Sequence, residues 1–477
     1  MKRYILLLCF LTLTFLIPVE LISQDHPLYS DFQEVRGEAT GYIHIEKMDD
    51  ISWFIDANGY AFFPVGMDHT KFFGNTVDLV SGGDAEACAN HAFDILSDLK
   101  INACASLSYQ PQKKAALERG FSYCGSVYPM VTPHSVTYKK EDYHRADPFS
   151  KEFESYVDST INVSTARLKG DPHVLGMCYG FNPFQLMHKW INHFLAGDAI
   201  TPAKESIVNE VYRKQYKTID AFNRVYGKSF TSFDDILSDI SLSYDKSLDP
   251  KPDEVVAEAD LIKRDFNQIT CLLIAKVHEV SHTYMRQYAP EMLILGYFFK
   301  PYNFNLAMYE AIAPYVDVLS PQHLQMPSYK NGVYNRAHGV LRVEEIHART
   351  GKPIFISDMA LGKVFKKGNK PMENNPYTSY NSQEDRGKVY YAAVEKAAAL
   401  PSVVGLTGCM TIYDNPDEQG QHGANKGFID PYTGLAKTEF TSYVKDINSQ
   451  IYDIRMREND IEKLTQNLID AMHHAIH

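Results

Sequence analysis

Gly351-Lys-Pro-Ile-Phe-Ile-Ser-Asp-Met359 enters through a glycine and a proline, runs apolar, and closes on a single carboxylate, Asp358. It reads as a buried strand of a parallel sheet. In a (β/α)8 barrel the C-terminal strand ends form the mouth of the active site, which makes Asp358 a candidate for chemistry. Taken alone, the same residue is equally an Asp that caps the following helix. The surrounding sequence bears on the choice. Runs rich in β-branched and aromatic residues recur at 62–69, 101–106, 126–131, 174–182, 292–299, 316–322, 353–361 and 403–414. Amphipathic stretches such as 84–99, 149–168, 341–350 and 383–400 lie between them. Strands alternating with helices predict an α/β fold, a TIM barrel ahead of an open doubly wound sheet. The interval between the fourth and fifth runs is the outlier. It predicts a long helical insertion after strand 4, at about 186–290, with a helix over 254–288 and a place near the barrel mouth. Residues 25–61 read as a small N-terminal cap, 62–455 as the barrel and 456–477 as a C-terminal helix.

The formal net charge is −12. The chain opens on Met1-Lys-Arg3 and an apolar run over 4–18, and reaches small and polar residues by Ser23 and Gln24. That pattern predicts a secretory signal peptide over 1–24 and an exported protein, periplasmic or extracellular. A lipid anchor through Cys9 is disfavoured, because Phe10 follows it and the apolar run before it is short. An acidic balance argues against nucleic acid and anionic membrane surfaces as partners, and no later stretch is apolar for long enough to span a bilayer. Cys88, Cys104, Cys124, Cys178, Cys271 and Cys409 show no close CxxC spacing. No HExxH pair occurs either, so neither a metal nor another cofactor is expected. Disulfides are compatible with an oxidising compartment, but their pairing is not readable, and nothing signals an oligomeric state.

Several stretches carry a family likeness. Phe54-Ile-Asp-Ala-Asn-Gly-Tyr-Ala-Phe-Phe-Pro-Val-Gly-Met-Asp-His69 resembles the opening of agarase-like glycoside hydrolases. Asp171-Pro-His-Val-Leu-Gly-Met-Cys-Tyr-Gly-Phe-Asn182, Ala221-Phe-Asn-Arg-Val-Tyr-Gly227, Tyr288-Ala-Pro-Glu-Met-Leu-Ile-Leu-Gly296 and the region from Pro401 to Asp430 are similar to it in the same order. The resemblance implies a retaining barrel with an acid/base Glu on strand four and a nucleophilic Glu on strand seven. This chain departs at both positions. Pro183 follows Asn182 where the family has Glu, and Asp358 stands where the nucleophile belongs. Cys409-Met410 replaces a sugar-stacking Trp, and Gln421 or His422 replaces a further Glu.

The resemblance therefore implies Asp358 as nucleophile or transition-state stabiliser, with Asn182 binding the hydroxyl beside the scissile bond. The missing acid must come from a non-standard residue. His69, His323 and Asp414 lead, being candidate strand-end or loop groups, with Asp417 and Glu418 behind them. Asp68, Tyr179 and Trp190 are candidate sugar-binding residues, and His188 and His193 flank Trp190. Each has a structural alternative: a satisfied core histidine, a solvated Asn-Pro turn, or the packing of a Tyr-rich core. Two functions stay open. One is a hydrolase acting on a galactan, agar-type or related oligo- or polysaccharide. The other is an inactive pseudo-glycosidase that binds oligosaccharide without cutting it.

Overall fold

In the computed structural model the described residues are 26–129, 146–181, 186–197, 199–250, 256–299, 304–330, 333–359, 361, 363–364, 379–416 and 425–475. The chain begins with a small antiparallel sheet of β1 (His44–Met48), β2 (Ile51–Ile55) and β3 (Ala61–Phe62). Then come β4 (Val65–His69), β5 (Ala103–Cys104), β6 (Ser122–Ser126), β7 (Val174–Phe181) and β8 (Ile294–Phe298). A hairpin of β9 (Gln325–Lys330) and β10 (Val333–Arg342) precedes β11 (Ile354–Met359), the short pair β12 (Lys363–Val364) and β13 (Ser379–Tyr380), β14 (Val403–Tyr413) and β15 (Gly427–Ile429).

Seven strands form one curled parallel sheet in the order β11-β14-β4-β5-β6-β7-β8, and β15 adds a short parallel pairing to β14. The expected sixth strand at 316–322 does not form as a strand. Its segment makes single parallel bridges to both free edges, Phe299 with Pro321 and Leu319 with Ile354. Leu319 N donates to Pro353 O at 3.0 Å, and Phe355 N donates to Leu319 O at 2.9 Å. Pro321 and Pro353 carry no N–H, so a continuous ladder cannot be completed there. The third strand also differs, running Ser122–Ser126 where 126–131 was expected. Gly125 and two serines lower its apparent strand propensity, yet Ser122 is buried and donates to the Asn102 carbonyl at 3.1 Å.

Two cores result. Leu175, Leu295, Val318, Phe355 and Val404 share an inner cluster with Tyr29, Phe54 and Phe62, so the N-terminal sheet packs onto the inner core of the curled sheet. Outward-facing residues pack beneath the helices in a second, larger cluster. Between β7 and β8 lie several short helices, a π-helical turn at Ile207–Arg213 and the long helix Leu261–Tyr288. That helix starts later than the expected 254, because Asp260 accepts from Lys263 N and caps it there. It packs along Lys151–Ala166, with Tyr288 Oη donating to Asp158 at 2.5 Å. No helix among the described residues is long and apolar enough to cross a membrane. The six cysteines of the described residues are free thiols.

Candidate active site

The strands β11, β14 and β4 are neighbours, and their C-terminal ends bring polar side chains together. Asp358 is the centre of the group. Its φ of +47° lies in the left-handed region, where a residue other than glycine is uncommon, and it sits where the pairing of β11 with β14 loses register. The break re-aims the residue out of the strand's alternation. Asp358 N donates to Thr407 Oγ1 at 3.2 Å, and Gln322 Nε2 donates to Asp358 Oδ2 at 3.1 Å. Asp358 Oδ1 lies 3.9 Å from His69 Nε2.

Asp68 is buried beside it and accepts from Thr407 Oγ1 at 2.7 Å. Burial, and then the charge and hydrogen bond of Asp358, hold the Asp68 carboxyl well above the usual carboxylate range, against a smaller opposing pull from Thr407 and Lys426. The Asp68 carboxyl therefore holds its proton more firmly than a solvated one. Asp68 is buried and tied to Thr407, so it stands as a neighbour that conditions Asp358 and not as the missing acid. Cys409 completes the cluster: its Sγ is 3.5 Å from His69 Nε2 and accepts from Lys426 Nζ at 2.9 Å.

The other sequence candidates fall elsewhere. His323 is buried under the outer core, where burial and the Lys396 cation push its imidazole down to about 3. Its neighbour Gln322 reaches Asp358 instead, as adjacent residues of an extended segment point to opposite faces. The same alternation puts Cys178 in the inner core and Tyr179 outside, edge-on to Tyr297 at 5.6 Å. Trp190 is buried in the helix Met187–Leu195 near Phe194. His188 pairs with Asp249 at 2.7 Å, and His193 lies edge-on to Phe194. Asp414 accepts from Gly427 N at 2.7 Å and pairs with Lys437, an arrangement that ties β15 to the helix Thr438–Met456. Asn182, Pro183, Asp417, Glu418, Gln421 and His422 lie outside the described residues.

Gln322, Thr407 and Lys426 were missed. Thr407 was findable: from Leu406 onward β14 alternates, with Leu406, Met410 and Ile412 in the outer core and Thr407 and Cys409 facing Asp68 and His69.

Comparison with known proteins agrees with this fold. No protein-family profile matches the chain. β-Agarase B of Vibrio sp. (strain JT0107) is 22% identical over 327 residues, 65% of this chain and 31% of that protein. The chain thus matches about a third of the length of that relative. Among solved structures, an exo-β-agarase superposes with a TM-score of 0.65 at 16% identity, over 88% of this chain and 66% of that one. The agarase AgWH50C superposes with a TM-score of 0.66 at 15% identity, over 91% and 68% respectively. The chain has the fold of agarase-like glycoside hydrolases.

Proposed function

We propose that this protein is an exported carbohydrate-active barrel that hydrolyses a galactan of the agar type or a related polysaccharide. In this reading the curled sheet is a (β/α)8 barrel whose sixth strand is reduced to the bridges at Leu319 and Pro321. Asp358 is the nucleophile, and His69 is the proton carrier. The observation that carries the reading is the strained, re-aimed Asp358, held by Thr407 and Gln322 at the end of the strand where the agarase resemblance places a nucleophile. Left-handed backbone at a non-glycine residue is costly and persists where surrounding structure over-determines it, as at active sites. Of the three candidate acids, His69 is the one with a ring nitrogen beside Asp358.

The test is release of reducing ends from agar-type and plant galactans, with calorimetric binding of the same oligosaccharides alongside. Wild type should release reducing ends. Asp358→Asn should abolish release while keeping binding, because an amide cannot form the glycosyl ester. Turnover surviving in Asp358→Asn removes Asp358 from the mechanism. Pro183 in place of the strand-four Glu favours the second reading, a pseudo-glycosidase, and binding without turnover in wild type would establish that one.

A further inference from the structure

We propose that His69, Asp358 and Cys409 form a binding site for a borderline-soft divalent transition metal, with zinc as the ion it fits. Three neighbouring strands each contribute one donor: the imidazole Nε2 from β4, a carboxylate oxygen from β11 and the thiol sulfur from β14. The three atoms lie within 4.8 Å of one another. Donor atoms at about 2.0–2.3 Å from a tetrahedral zinc sit roughly 3.3–3.6 Å apart. The His69–Cys409 edge of 3.5 Å already meets that geometry, and the His69–Asp358 edge of 3.9 Å needs a small side-chain adjustment.

The 3.9 Å gap is also too long for a hydrogen bond. A cation between the two groups would bridge them. Asp358 Oδ2 is already fixed by Gln322, and Lys426 donates to the Cys409 sulfur, so the first set of donors is itself oriented by further polar groups, as metal ligands commonly are. Cys409 would ligate as the thiolate, so its thiol proton must leave on binding. A coordinated divalent cation removes that proton outright. Imidazole, thiolate and one carboxylate suit zinc or cobalt and not the oxygen-seeking magnesium or calcium. Three protein donors leave a fourth position open, the arrangement of a zinc site that binds water or substrate.

The inference is separate from the hydrolase reading: with the ion bound, His69 and Asp358 are ligands and not proton carrier and nucleophile. It is read from metal binding alone and stands or falls whether or not a sugar is cut. Untagged protein, stripped by chelator, is titrated with Co²⁺ and Zn²⁺ and followed by absorption spectroscopy and calorimetry. The expected result is one Co²⁺ per chain with a thiolate-to-cobalt charge-transfer band, displaced by Zn²⁺ and unaffected by excess Mg²⁺ or Ca²⁺. Cys409→Ser should abolish the band. His69→Gln should weaken Zn²⁺ binding beyond the ~10–100-fold cost typical of outer-shell changes. Cys271→Ser, which alters a lone thiol elsewhere, should change nothing. Circular dichroism on each variant separates a lost site from a lost fold. No stoichiometric binding by wild type, or a charge-transfer band that persists in folded Cys409→Ser, overturns the proposal.

Discussion

Asp358 combines an ionisable side chain with an uncommon backbone. An L-residue in the left-handed region carries a steric cost of roughly 1–2 kcal/mol that glycine escapes. Asp358→Ala and Asp358→Gly both remove the carboxylate, so comparing them isolates that backbone term. Asp358→Gly should be the more stable by about 1 kcal/mol, measured by denaturant unfolding. Equal stabilities would mean that the φ of +47° is not maintained in solution.

At the scale of elements, Thr407 joins three strands through one hydroxyl. From β14 it donates to Asp68 on β4 and accepts from the backbone of Asp358 on β11. Thr407→Val keeps the shape and removes both bonds. The variant leaves a buried carboxyl oxygen and a backbone N–H without that partner, a loss of about 1–3 kcal/mol. Thr407→Ser should recover most of it, since the hydroxyl alone makes the bonds. If Val and Ser variants unfold at the same denaturant concentration, Thr407 is packing and not a polar clasp. Asp414 acts similarly on β15, where its carboxylate meets both Gly427 N and Lys437. Asp414→Ala should loosen residues 425–429, and with them Lys426, visible as faster amide exchange over that segment than in wild type.

For the whole molecule, two buried histidines tie stability to pH. Burial pushes His278 down to about 4, and burial with the Lys396 cation pushes His323 down to about 3. Both folded-state values lie below the unfolded value near 6.5, so between those limits the unfolded chain binds more protons than the folded one. Stability contributed by the neutral rings is complete above about pH 6.5 and is lost as pH falls toward 4 and then 3, with each ring adding up to ~1.4 kcal/mol per pH unit. His323→Leu should flatten the acid limb of a stability-versus-pH curve measured by denaturant unfolding. An unchanged limb would remove His323 from the linkage.

Repeated apolar runs were enough to place six of the sheet's strands close to where they form, because a buried parallel strand writes its burial directly into its residues. The agarase-like fold was legible for the same reason, through segments such as 54–69 and 171–182 that couple a turn to a strand. Two features misled. Gly125 hid β6, whose stability comes from neighbours and not from its own propensity, and Pro321 reduced an expected strand to two bridges. The convergence at one end of the sheet was legible where it depends on strand ends, at Asp68, His69 and Asp358. It was not legible where it depends on which face a side chain takes, so His323 and Tyr179 pointed to a pocket they turn away from while Gln322 and Thr407 went unread. A one-residue change of parity moves a side chain to the opposite face of a strand, and a bulge such as that at Asp358 makes the same change locally. Sequence alone therefore picked out strand-end side chains that the fold brings together. The meeting of Cys409 and Lys426 with His69 and Asp358 was decided by the curl of the sheet, which brings β11, β14 and β4 side by side from distant parts of the chain.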